Sequence, residues 1–105
     1  LDDISYIYAP FIGAFFVYKE EIMAKIAVIG AVLEKPEACQ SKFNEIISEY
    51  KHLVKGRLGL PMHEDKVSAI SVIVVGELDE INSLTGKLGN ISGVNVKTSI
   101  SKKEI

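Results

Sequence analysis

Cysteine, histidine and tryptophan are nearly missing from this chain: one, two and none in 105 residues. A lone Cys39 excludes an intramolecular disulfide and a cysteine-built zinc cluster. It fits a reducing cytoplasm, which is the expected location. An excess of basic charge is also lacking. The net charge is −2, so the chain as a whole offers no electrostatic footprint for nucleic acid, and direct DNA binding is not expected. A membrane span needs about 20 apolar residues, and the most apolar stretch is interrupted by Pro10 and Gly13. That stretch has no basic leading region and no small-residue cleavage site after it, so it does not read as a signal peptide. Internal repeats and low-complexity runs are missing too. What remains is ordinary globular material, 48% hydrophobic and 25% charged. The length suits one domain. A core of this size is modest, and oligomerisation would add burial.

Residues 1–22 differ from the rest. They hold three of the four tyrosines and three of the four phenylalanines. Asp2, Asp3, Glu20 and Glu21 outweigh Lys19, whereas residues 23–105 carry 11 basic and 10 acidic side chains. The run Lys19-Glu20-Glu21-Ile22-Met23 can be encoded by AAG-GAG-GAA-ATT-ATG, a purine-rich ribosome-binding string just ahead of a start codon. Met23 is therefore expected as the native start, with residues 1–22 as translated upstream sequence. The alternative is a genuine N-terminal arm, an apolar strand or helix that packs on a neighbour.

Residues 23–105 alternate strand and helix signals. Lys25–Leu33 is β-branched and apolar without helical period, which predicts a strand buried on both faces. Pro36 suits the first turn of a helix, where its missing N–H is no loss. Cys39, Phe43, Ile46, Ile47 and Tyr50 then form one apolar stripe of a helix ending near Lys51. Val54–Leu60 is a weaker strand closed by Pro61, and Met62–Lys66 is a polar turn. Val67–Val75 is the clearest second apolar strand. Asp79 and Glu80 carry the negative charge that a helix N-terminus favours. Leu78, Ile81, Leu84, Thr85 and Leu88 make the next stripe, which stops at Gly89-Asn90. In Gly93–Ile100, Val94, Val96, Thr98 and Ile100 alternate with Asn95, Lys97 and Ser99, the pattern of a half-buried strand. Ser101–Ile105 reads as a polar tail.

The order β-α-β-β-α-β is the split βαβ pattern, so the predicted fold is α+β, ferredoxin-like. Both helices are expected on one face of an antiparallel sheet ordered 4-1-3-2. The other face should then be solvated, yet both alternating sets of the two central strands are apolar. An apolar sheet face of more than a few hundred Å² usually marks an interface. A homo-oligomer, dimer or tetramer, joined through the helix-free face is therefore expected. Ile29, Leu33, Ile73 and Val75 are the candidate interface residues. The alternative cover is the N-terminal arm of the same chain.

Convergent chemistry is sparse, and neither catalytic residues nor a cofactor are expected. His63, Glu64 and Asp65 form the one metal-ligand candidate, without the His-x₃₋₅-His spacing of a zinc site. A polar turn before a strand explains them as well. His52 follows the first helix, where a cation complements the dipole. Cys39 lies on the apolar stripe and reads as a core thiol. Gly86–Gly93 follows a helix instead of opening one, so it is no phosphate loop.

Arg57-Leu58-Gly59-Leu60-Pro61 and Gly86-Lys87-Leu88-Gly89-Asn90-Ile91-Ser92-Gly93-Val94-Asn95-Val96-Lys97-Thr98, taken together, resemble the iron-only hydrogenase system regulators. The likeness spans roughly Lys25 to Thr98. That family looks like the C-terminal domain of the nickel-responsive repressor and, more broadly, like ACT domains. The resemblance implies a regulatory oligomer with ligand sites at subunit interfaces, acting through a small-molecule effector or a protein partner, and not an enzyme. It implies an effector loop at Glu34, Lys35, Pro36 and Glu37. The nickel repressor's metal-binding His and Cys have no counterpart in Gly56–Leu60 or Val67–Val75. A metal-responsive regulator using His63, Glu64 and Asp65, or a small enzyme on the same scaffold, are the competing readings.

Overall fold

A computed structural model describes residues 23–105. The expectations for residues 1–22 lie outside the described residues. Six elements follow in order: β1 (Lys25–Leu33), α1 (Pro36–Glu49), β2 (Val54–Met62), β3 (Val67–Gly76), α2 (Leu78–Gly89) and β4 (Val94–Glu104). All three strand pairings are antiparallel and the sheet order is β2-β3-β1-β4, the ferredoxin-like α+β arrangement.

Local chemistry sets the element ends. Pro36 opens α1. Asp79 and Glu80 occupy the first turn of α2, where the helix dipole favours carboxylates. After α1 the chain turns through Leu53, whose side chain packs over the end of β3. A Cβ on Gly76 would lie 2.5 Å from Leu53 Cδ2, so a larger residue there requires the leucine side chain to shift. Gly93, at φ 85, makes the left-handed turn that starts β4.

The stripe Cys39, Phe43, Ile46 and Ile47 of α1 and the stripe Ile81, Leu84 and Leu88 of α2 are buried against one face of the sheet. That face presents Ala27, Ile29, Ala31 and Leu33 from β1, Ile70, Val72 and Val74 from β3, and Val94 from β4. Fully burying one such aliphatic or aromatic side chain contributes about 1.5–3 kcal/mol.

Three expectations need correction. Ile29 and Leu33 are fully buried beneath the helices and do not lie on the helix-free face with Ile73 and Val75. Among the described residues, strand β1 is buried on one face only. Its even-numbered residues Ile26, Val28 and Val32 stay 39–44% exposed. Strands β2 and β4 also run further than their patterns predict. β2 continues through Pro61 to Met62, which an edge strand tolerates because its outer N–H groups need no partner. β4 reaches Glu104 and takes in most of the supposed tail; the Ser101 hydroxyl accepts from the Ile26 N–H at 3.1 Å and donates to the Lys103 carbonyl at 2.8 Å.

Candidate functional site

The helix-free face can be built row by row from the strand register. Directly opposed residues in a sheet share a face. One row reads Leu58, Ser71, Gly30, Lys97 across β2, β3, β1 and β4. The next reads Leu60, Ala69, Val32, Asn95, and the row before reads Gly56, Ile73, Val28, Ser99. Bulk is thus lowest in the middle. Gly30, Ser71 and Ala69 floor a shallow trough of about 600 Å³, walled by Leu58 and Leu60 on the β2 side and by Asn95 and Lys97 on the β4 side. Volumes of about 300–1,000 Å³ are typical of small-molecule sites. Around it, Ile26, Val28, Val32, Leu58, Leu60, Met62 and Ile73 form an exposed apolar field.

The β4 rim is the polar one. Asn95 Nδ2 donates to Glu34 Oε2 at 2.7 Å, which ties the rim to the loop after β1. Lys97 is exposed and is the one charged side chain among the residues that line the trough.

The predicted effector loop and the predicted metal candidates meet at the end of the sheet. Pro36, Glu37 and Gln40 of α1 share a 280 Å³ depression with His63, Lys66 and Ser68 of the β2–β3 turn and β3. Glu34 and Lys35 are not part of its lining. Glu64 and Asp65 border a neighbouring hollow together with His63. Among the described residues no three His, Cys, Asp or Glu side chains gather as a metal ion would need. Adjacency in the turn does not make His63, Glu64 and Asp65 a joint ligand set.

The outer surface of the helix layer holds a separate polar chain. Tyr50 Oη and Ser83 Oγ share a hydrogen bond of 2.8 Å, and Lys87 Nζ sits 5.1 Å from the Tyr50 ring centre and 3.6 Å from Glu49. Hydrogen bonding by Ser83, then by Lys87, holds the Tyr50 phenol below its ordinary value. The same hydrogen bond and the attraction of the phenolate hold the Lys87 ammonium above its own. His52 Nε2 lies 3.1 Å from Glu80 Oε2 and joins the end of α1 to the start of α2, so it serves as a cross-helix tie and not as a cap. Cys39 is buried, with its thiol donating to the Lys35 carbonyl at 3.3 Å, as a core residue would.

The sequence pattern identified the apolar field but missed the trough. Its signal was present in Gly30, a glycine inside an otherwise β-branched strand, which often marks a close approach from outside.

Comparison with known proteins adds a family. Residues 25–98 match the model described as "TM1266-like: Iron-only hydrogenase system regulator, putative". The solved structure of TM1266 from Thermotoga maritima is similar at TM-score 0.72 and 32% identity, covering 75% of this chain and 99% of that one. LarC2, the C-terminal domain of a cyclometallase involved in the synthesis of the NPN cofactor of lactate racemase, is matched at TM-score 0.40 and 17% identity, over 75% of this chain and 58% of that one. A likeness that low carries no argument. No curated protein sequence matches the chain. No described helix is long and apolar enough to cross a membrane.

Proposed function

The chain belongs to the TM1266-like family, and on that premise we propose that it is an oligomeric regulatory module of an iron-only hydrogenase system, without catalytic activity of its own. It acts by binding a small ligand or a protein partner, in a reducing compartment where Cys39 stays a thiol. One observation carries the oligomer. The helix-free face presents apolar side chains from three adjacent strands, with Leu58 70% and Leu60 54% exposed. Water contact on so continuous a surface is costly, at about 25 cal/mol for each Å² of apolar area. A second copy meeting the first through the same face removes that cost for both, as isologous dimers do.

Sedimentation equilibrium of the whole chain tests this. The wild type is expected to be a dimer or tetramer at micromolar concentration, and Val28→Lys, which puts a charge in the middle of the face, is expected to dissociate it. A monomeric wild type would overturn the oligomer and leave residues 1–22 of the same chain as the cover to be sought.

A further inference from the structure

We infer that the trough over Gly30 is a binding site for a small, flat, aromatic or conjugated carboxylate, held between two copies of this chain. The inference rests on the proposed oligomer and names its effector class.

Gly30 lies in the interior of β1. Glycine weakens a strand interior, so a glycine there calls for a reason. At Gly76 and Gly93 the reasons are internal: a packed leucine and a positive φ. Gly30 has neither. It lies in the regular part of both of its strand pairings. A Cβ built on it meets nothing closer than the Lys97 carbonyl at 3.9 Å. The missing side chain thus leaves room for something beyond the described residues that comes down onto the sheet. Across the row its neighbour Ser71 is also small, which widens the bare strip over two strands.

The shape and charge of the strip select the occupant. Beside Gly30 its floor carries only the small side chains of Ser71 and Ala69, which suits a flat ring system. Leu58 and Leu60 offer apolar contact along one edge. Lys97, at the other end of the Gly30 row, provides a cation, and among the described residues no carboxylate pairs with it. Charge-assisted hydrogen bonds of this kind are about twice as strong as neutral ones. The trough, at about 600 Å³, exceeds the roughly 150 Å³ left by one leucine side chain lost from a core, so a single partner side chain does not fill it. As a shallow feature it cannot enclose a ligand alone, and sites of this class bury about 70–90% of the ligand surface. A second sheet packed about 10 Å away supplies the lid.

The test uses the whole chain and naphthoate as the probe, with naphthylmethanol as its neutral counterpart. Isothermal titration calorimetry and sedimentation equilibrium are run on the same preparations. Naphthoate is expected to bind the wild-type oligomer, and naphthylmethanol about tenfold more weakly, the loss of one charge-assisted bond. Gly30→Val, whose Cβ has space and whose folding is checked by circular dichroism, is expected to lose at least about tenfold in naphthoate affinity, or about 1.4 kcal/mol. Lys97→Gln loses preference for the anion, and Lys97→Arg keeps it. Equal binding by Gly30→Val and wild type, or no binding by a wild-type oligomer, would overturn the site while leaving the oligomer standing. Tight binding by a chain that sediments as a monomer would overturn the two-copy site and the oligomer together.

Discussion

The two faces of this sheet are made of similar residues and meet opposite surroundings. On β1 the odd set is Ala27, Ile29, Ala31 and Leu33, and each is at most 4% exposed. The even set is Ile26, Val28, Gly30 and Val32, and its three large members remain about two-fifths exposed. The difference lies in what covers them. Phe43, Ile47, Ile81, Leu84 and Leu88 descend from two helices onto the first set, and nothing among the described residues descends onto the second. Apolarity without a cover among the described residues is what the proposed second copy would satisfy.

Breaking the covered face should have the largest effect. Phe43→Ala removes a fully buried ring and should cost about 3–5 kcal/mol in urea unfolding monitored by circular dichroism. Leu33→Ala should cost about 2–5 kcal/mol. On the open face the expectation changes character. Ile73→Lys should leave the stability of the folded subunit within about 0.5 kcal/mol, as surface substitutions do. Its effect should be on mass, seen by light scattering as dissociation. A large loss of subunit stability would erase the distinction between the faces.

Gly30→Ala sharpens the comparison from the other side. It adds a methyl where there is room and removes glycine's entropic penalty, so thermal unfolding should show a gain of about 0.5–1 kcal/mol. A stabilising change that impairs ligand binding would mark Gly30 as kept for function.

The smallest effect belongs to the outer helix surface. Tyr50 titrates below 10.0 in the folded chain because Ser83 and Lys87 hydrogen-bond its phenol, and a depressed group adds stability above its unfolded value that is lost as pH falls through the folded one. Lys87, raised above 10.5, adds stability that is complete below that value and is lost as pH rises through the folded one. Beyond the Ser83 bond, the Lys87 part of the two shifts is one tyrosinate–ammonium contact, confined to alkaline pH. The difference in absorbance at 295 nm between wild type and Tyr50→Phe, followed against pH, should show a midpoint below 10.0.

Much of the fold was legible because its signals are local. Pro36 marks the start of α1, Gly89-Asn90 the end of α2, and the spacing of Phe43, Ile46 and Ile47 gives the buried stripe of α1. The facing of β1 was not legible. Both of its alternating sets are apolar, so periodicity cannot say which one the helices cover, and it does not reveal that Ile29 and Leu33 lie on the covered side. The answer resides in register. In β4 the set Val94, Val96 and Ile100 is plainly inward and Asn95, Lys97 and Ser99 outward, and pairing Val94 with Leu33 carries that choice to β1. Register depends on long-range pairing that a linear pattern does not contain. The trough was illegible for the same reason, since Leu58, Ser71, Gly30 and Lys97 become one row only when four strands are aligned. The end pocket likewise joins Glu37 to His63 only through the fold.

In the proposed oligomer the helix-free face is covered in solution by a second copy. Methyl relaxation by a soluble gadolinium chelate measures it residue by residue. In the wild type, Val28, Val32 and Ile73 should be nearly as protected as Ile29 and Val72, and in Val28→Lys the remaining open-face methyls, Val32 and Ile73, should relax fast while Ile29 and Val72 stay protected. Fast relaxation of Val28, Val32 and Ile73 in the wild type at the highest attainable concentration would contradict the account.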